Sequence, residues 1–376
     1  MDTSGEKYSK AKVLTVREIP LGICIIIFVL LAALCPKCVG NPLKLINAGT
    51  LITLTGLLLA TTGIKESGKL ENIARRILHR IHNERQLATA LVGLSVVLSM
   101  ILTNDIALFI IIPMTLNFQR LVKNDLSKLI ILEAIAVNVG STLTPIGNPQ
   151  NIFLWRLYDI PFFGFILAMA PAFAVMSVIL FILTIILFRT KRIELIDVEN
   201  PVSTDEKLFY ISFALLLVFI LAVELNVHYM AVWGIFAVYL LFYRRIILKT
   251  DWLLLVLFAF IFVDFGAITK IPYIAEVVQR IELRNLKNIY LISAGLSQII
   301  SNVPATVFIS KFTSNWKAIA YGANVGGNGL IIGSLANIIA IRIARNSRLW
   351  VEFHKYSIPY FIISGVSIYF LLTAIL

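Results

Sequence analysis

Two fifteen-residue segments of this chain carry the residue types from which an ion site at membrane depth is built. Asn138 to Ile152 reads NVGSTLTPIGNPQNI and Asn324 to Ile338 reads NVGGNGLIIGSLANI, identical at seven of fifteen positions, two Gly and two Asn among them. Shared aliphatics are expected by chance in so apolar a chain, but aligned Gly and aligned Asn are not. In the first copy, Thr144-Pro145-Ile146-Gly147-Asn148-Pro149 is a helix break. It frees carbonyls before it and leaves unpaired amides after it. The amide end suits an anion, whereas the carbonyls with the side-chain oxygens of Asn138, Ser141, Thr142 and Asn148 suit a small hard cation. The second copy has no proline at its break, and Gly326, Gly327, Gly329 and Gly333 give the same freedom around Asn324, Asn328, Ser334 and Asn337. The competing reading is that small residues and Asn serve only close packing and interhelical hydrogen bonds.

Two further polar interruptions fall inside apolar runs. Thr103-Asn104-Asp105 interrupts 86–118, and Ser301-Asn302-Val303-Pro304 interrupts 288–313. Such groups are costly in hydrocarbon unless they line a protected cavity, so each run is read as a re-entrant helical hairpin. The tips then offer Thr103, Asn104 and Asp105 in one half and Ser301, Asn302 and Pro304 in the other. Two tips and two broken helices are expected to meet in one site, where Asn104, Asn148 and Asn302 are the candidate Na⁺ ligands. Three carboxyls are candidates for proton coupling: Asp105 at a tip, and Glu133 and Asp264 inside apolar runs, each against a salt-bridge or packing role. Glu224 and His228 are expected at the external interface, and His79, His82 and His354 at the internal one.

The elements that must position these groups follow from composition. The chain is 59% hydrophobic and 14% charged, with mean hydropathy +0.89, which excludes an ordinary soluble domain. Its formal charge of +12 sits in short clusters between apolar spans. That is the pattern of positive-inside topology and not of a nucleic-acid-binding face, and no nucleic-acid partner is expected. The basic N-terminus and the run Ile19–Leu34 are read as an uncleaved first span and not as a signal peptide. Cys24, Cys35 and Cys38 make no metal framework and have no redox-fold context, so an external disulfide or idle thiols are expected. No cofactor and no structural metal are expected. With four His near interfaces, no Ser, His or Cys constellation at membrane depth and no GxxxxGK loop, the chain is not read as an enzyme.

The expected fold class is an all-α polytopic membrane protein of two inverted-topology repeats, each with a re-entrant hairpin and a broken transmembrane helix, about 10–11 spanning elements in all. Residues 1–18 form a cytoplasmic basic tail and 19–42 the first span and an external loop. Residues 43–190 form repeat 1 (hairpin 86–118, broken helix 129–157), 191–207 a cytoplasmic linker, and 208–376 repeat 2 (hairpin 288–313, broken helix 316–341). With the N-terminus inside, this threading puts 24 of the 33 Lys and Arg residues on the inner side. Upstream of each hairpin lies a basic amphipathic segment, Leu70, Ile73, Ala74 and Ile77 in one half and Ile274, Val277, Val278 and Ile281 in the other. Both are read as interfacial helices, with Arg75, Arg76, Arg80 or Arg280, Arg284 toward lipid headgroups.

TND at 103–105, GSTLTPIGNPQN at 140–151, SNVP at 301–304 and GANVGGNGLIIGSLANI at 322–338 resemble the ion-transporter superfamily of arsenite permeases, divalent-anion/sodium symporters, citrate carriers and sodium/proton antiporters. The resemblance covers 43–376, and DWLLLVLFAFIFVDFGAI at 251–268 is similar to that family's pre-hairpin helix. It implies a plasma-membrane secondary transporter of a small inorganic or organic anion, coupled to Na⁺ or H⁺. It also implies a dimerising scaffold domain, a transport domain made of the hairpins and broken helices, and elevator-like alternating access. In the sodium-coupled dicarboxylate branch each tip reads Ser-Asn-Thr. Here both tips keep Asn and lose the third hydroxyl, and the Thr103-Asn104-Asp105 tip and the broken second copy are more similar to the arsenite-permease and general anion-permease branch. A sodium/proton antiporter and an arsenite efflux permease stay open as alternatives, and a channel or membrane enzyme is disfavoured.

Overall fold

The computed structural model describes residues 4–78, 81, 83–122, 127–190, 203–283 and 285–375; most of the expected linker, His79, Arg80, His82 and Arg284 lie outside these. Among the described residues the apolar runs form helices and no strand is present. Helix α1 (Ser4–Leu34) leads into a short turn of helix, α2 (Pro36–Val39), and α3 (Ala48–Glu66) follows. The Asn47 side chain caps α3 by accepting from the Thr50 amide at 2.9 Å. The amphipathic α4 (Lys69–Leu78) carries a Glu71–Arg75 ion pair one turn apart.

Helix α5 (Glu84–Ile101) breaks at Leu102 and Thr103, and Asn104 opens α6 (Asn104–Val122). Helix α7 (Ser127–Ser141) is separated by an irregular segment from α8 (Pro149–Leu157), and α9 (Phe162–Leu187) follows. The middle of the chain supplies α10 (Glu206–Glu224), α11 (His228–Phe242) and α12 (Arg244–Lys249). Helix α13 (Trp252–Ile268) then bends by 82° into the amphipathic α14 (Pro272–Gln279). Helix α15 (Leu286–Ile300) is followed after the single residue Ser301 by α16 (Asn302–Ile309), so Pro304 lies in the first turn of α16 and not in the break. The last elements are α17 (Trp316–Gly326), α18 (Leu335–Ala344) and α19 (Leu349–Ile375).

The packing of the first set recurs in the second. Helix α7 lies against α5, α6 and α9, and α17 lies against α15, α16 and α19. Across the two sets, α6 packs on α18 and α16 on α8, while α7 meets α18 and α17 meets α8. The aligned glycines permit close approaches within each set. A Cβ on Gly140 of α7 would strike the Val96 carbonyl and the Ser99 hydroxyl of α5. A Cβ on Gly326 of α17 would come within 2.5 Å of Ser297 Cβ and 2.9 Å of the Ala294 carbonyl of α15.

Every residue of α7 except Lys128 is buried, so this helix has no polar stripe and sits at the centre of the molecule. Helices α9, α10 and α11 turn large apolar side chains outward, Phe163, Leu167, Met230 and Trp233 among them. Such a surface is stable in hydrocarbon and not in water. Five of the described helices, α3, α5, α9, α10 and α19, are each long and apolar enough to cross a bilayer, and the bent pair α13–α14 passes the same test jointly.

Candidate functional site

The two duplicated segments meet in a reciprocal hydrogen-bond network. Asn138 Nδ2 donates to Asn337 Oδ1 at 2.8 Å, and its aligned counterpart Asn324 donates through Nδ2 to Asn151 Oδ1 at 2.9 Å. The Ser334 hydroxyl donates to Asn138 Oδ1 at 3.1 Å, and at the aligned position Asn148 Nδ2 donates to Asn324 Oδ1 at 2.9 Å. Each far Asn also ties down the end of its own broken helix. Asn151 Nδ2 donates to the carbonyls of Ser141 at 3.0 Å and Thr144 at 3.1 Å. Asn337 Nδ2 donates to those of Gly327 at 2.9 Å and Leu330 at 3.4 Å. All four Asn are buried, so these bonds satisfy donors and carbonyls that a helix end otherwise leaves unpaired.

The hairpin tips dock on the same breaks. The Asn104 amide donates to the Gly147 carbonyl at 2.9 Å, and the Ser301 hydroxyl reaches the Gly333 carbonyl, the aligned position, at 3.5 Å. Asn104 Oδ1 accepts from the Asp105 amide at 3.0 Å, at the head of α6. Asn302 lies against the second break, where its Nδ2 is 3.0 Å from the place a Cβ on Gly327 would occupy. Ser301 holds φ at +74°, a region that non-glycine residues seldom occupy, so this tip is a strained turn. Thr103, Asn104, Asp105, Asn138, Ser141, Thr142, Asn148, Asn302, Asn324, Asn328 and Ser334 are all buried.

Two polar atoms here have no hydrogen-bond partner: Thr103 Oγ1 at the first tip and Asn328 Oδ1 in the second break. Asn328 spends its amide on the Asn324 carbonyl at 3.0 Å, which leaves its oxygen as an available acceptor. Buried acceptors of this kind are what a small hard cation requires.

The other two carboxyls stand apart from the Asn network. Glu133 is buried on α7 and accepts from the Thr115 hydroxyl of α6 through Oε1, while Oε2 has no partner. Asp264 is buried on α13, and the Cys24 thiol of α1 lies beside its carboxyl group. His228 is fully buried, with its ring on that of Tyr229, and is not an exposed interfacial group. His354 Nε2 accepts from the Ile331 amide at 3.4 Å and so supports the second break.

Residues 13–315 match the model of a family described as citrate transporter. The chain belongs to the citrate transporter family. Among relatives of this family member, the inner membrane protein YbiR of Escherichia coli is 40% identical over 316 residues, 82% of this chain and 83% of the relative. An uncharacterized transporter, MJ0456 of Methanocaldococcus jannaschii, is 37% identical over 82% of this chain and 85% of its own length. The silicon efflux transporter LSI3 of Oryza sativa is 27% identical over a shorter stretch, 32% of this chain and 26% of the relative. The citrate transporter family member described here is thus a multi-pass membrane protein of the ion-transporter superfamily, and a transporter.

Several residues of this family member's site were not singled out in the sequence. Asn151 is the counterpart, in the first copy, of Asn337, and its signal was present in the alignment of the two segments itself. Ser95, Ser99, Thr103 and Asn104 repeat at the same spacing as Ser293, Ser297, Ser301 and Asn302. In both sets the second Ser lies beneath the packed glycine. Gln298 takes part only in the second half, donating to the Gly326 carbonyl at 2.6 Å and accepting from the Leu330 amide at 2.7 Å.

Proposed function

We propose that this protein is a secondary active transporter that moves a small anion or oxyanion across the plasma membrane, coupled to a Na⁺ or H⁺ gradient, by alternating access. The observation that carries the reading is the reciprocal Asn138–Asn337 and Asn324–Asn151 pairing between two broken helices, with one hairpin tip docked on each break. The two halves then lie as inverted repeats in the bilayer, with the N-terminus cytoplasmic, and the two helical hairpins are re-entrant. Helices α3 and α10–α12 form a scaffold whose outward apolar face supports a homodimer, and the hairpins with α7, α8, α17 and α18 move against it in an elevator-like step.

The coupling ion sits where side-chain oxygens and freed carbonyls converge: Na⁺ near Asn104, Asn148 and Asn302, or H⁺ carried by Asp105 with Glu133 or Asp264 in reserve. The substrate is a species of low net charge, or an anion accompanied by cations. Asp105 is buried at the first tip. An acid at the tip argues against a bare, highly charged anion beside it.

The test is a thermal-shift screen of oxyanions and di- and tricarboxylates in Na⁺ and in K⁺ at two pH values, because a ligand that binds only the native state raises the unfolding temperature. A low-charge oxyanion that stabilises in one cation or at one pH supports the proposal. Stabilisation by Na⁺ alone, with no anion effect in any condition, points to sodium/proton exchange and overturns it.

A further inference from the structure

Cys35 and Cys38 form a disulfide in the turn after α1, with Cα atoms 5.3 Å apart, and the bond contributes little to holding this turn together. The Cys38 amide donates to the Cys35 carbonyl at 2.9 Å, and the Gly40 amide to that of Pro36, also at 2.9 Å. Cys38 and Val39 are buried against Ala267, with Leu31, Leu45 and Ile271 around them. Backbone bonds and apolar packing therefore fix the turn already. A bridge across so short a segment closes the smallest of loops and restricts the unfolded chain least.

The two cysteines differ in burial. Cys35 is half-buried at the rim of the turn, whereas Cys38 is 4% exposed and faces the end of α13. An incoming thiolate therefore meets the Cys35 sulfur, and Cys38 is the group expelled toward the apolar contact with Ala267. That contact lies at the 82° elbow between α13 and α14, the element that leads into the second hairpin. Attack at the less buried cysteine, with the buried one as the leaving thiol, is the geometry of exchange chemistry and not of a buried staple.

We propose that Cys35 and Cys38 are a reversible dithiol–disulfide site that reacts with small thiol and dithiol compounds. The thiolate of a dithiol forms a bond to Cys35 Sγ as the Cys35–Cys38 bond breaks, and Cys38 leaves as thiolate and takes up a proton. The second thiol of the reagent loses its proton, attacks the reagent sulfur of the mixed disulfide and releases Cys35, which is protonated in turn. Two electrons and two protons pass to the pair, and the dithiol becomes its own disulfide. Oxidised glutathione reverses the sequence and is reduced to two thiols.

The experiment uses the full chain in detergent, exposed to dithiothreitol and then to oxidised glutathione under native conditions, quenched in acid and labelled with a maleimide–polyethylene glycol after denaturation. With Cys24 the free thiol and Cys35–Cys38 bridged, the oxidised protein takes one label; the reduced protein takes three, and oxidation returns it to one, with the folded peak on gel filtration unchanged throughout. In native labelling, Cys38→Ser leaves a reactive Cys35, and Cys35→Ser leaves an unreactive Cys38. A disulfide that survives excess dithiothreitol until the protein is denatured overturns the proposal. So does loss of the folded peak on reduction, since either marks a structural staple, and so does equal native labelling of the two single variants.

Discussion

Asn138 and Asn337 stand 199 residues apart, yet Nδ2 of the first lies 2.8 Å from Oδ1 of the second. The aligned pair Asn324 and Asn151 repeats the bond in the opposite sense at 2.9 Å. Two broken helices are thereby locked to each other by side chains that also pair the carbonyls each break exposes. The breaks are costly when isolated and mutually satisfied when together.

Asn138→Ala leaves the Ser334 hydroxyl and Asn337 Oδ1 without their partners. An orphaned buried polar group costs about 1–3 kcal/mol. Thermal unfolding in detergent should show that loss, and the double variant with Asn337→Ala should be non-additive by roughly 0.5–3 kcal/mol. Strict additivity would mean that the two amides do not act on each other.

At the tips, Asn104→Ala, Asn302→Ala and Asp105→Asn should each abolish transport while membrane expression stays at the parent level. Flux assays on purified variants check this. Wild-type flux in all three refutes the assignment of the tips to the site.

Gly326→Ala places a methyl 2.5 Å from Ser297 Cβ and should destabilise by about 1–3 kcal/mol, because α17 cannot withdraw from α15 without disturbing the second break. Gly295→Ala on α15 meets nothing within 4 Å and should be neutral or slightly stabilising, as alanine is favoured over glycine within a helix. Equal unfolding temperatures for the two variants would contradict the packing argument.

Thr115→Val removes the hydroxyl that donates to Glu133, whose other oxygen already lacks a partner. It should lower stability by about 1–3 kcal/mol, whereas Thr115→Ser, which keeps the donor, should retain most of it. If Val and Ser behave alike, the Thr115 bond is not what makes burial of Glu133 tolerable.

The duplicated Asn-Val-Gly segment and the polar interruptions at 103–105 and 301–304 were legible because polar groups inside apolar runs are expensive and need a reason. The choice among the amides was harder. Asn148 stood out beside two prolines and Asn337 in the Gly-rich copy, whereas Asn151 sits inside a short helix and looks like an ordinary interior residue until its partner 173 positions away is known. The Ser95–Ser99 and Ser293–Ser297 steps were equally visible as spacing, but the function of each second Ser, lying under a packed glycine, depends on which helix faces it. Thr115 beside Glu133 and Cys24 beside Asp264 are contacts between separate helices, and one-dimensional periodicity carries no information about them.

The proposed step is gradient-coupled movement of an anion through the site between the two broken helices. Its most direct test is uptake into proteoliposomes of the oxyanion that best stabilises the protein, with Na⁺ and pH gradients imposed separately and Asn104→Ala as the control. Anion accumulation that requires one of the gradients and is lost in the Asn104 variant is the expected result. Na⁺ and H⁺ exchange with no dependence on any anion, or anion flux that continues with no gradient imposed, would contradict it.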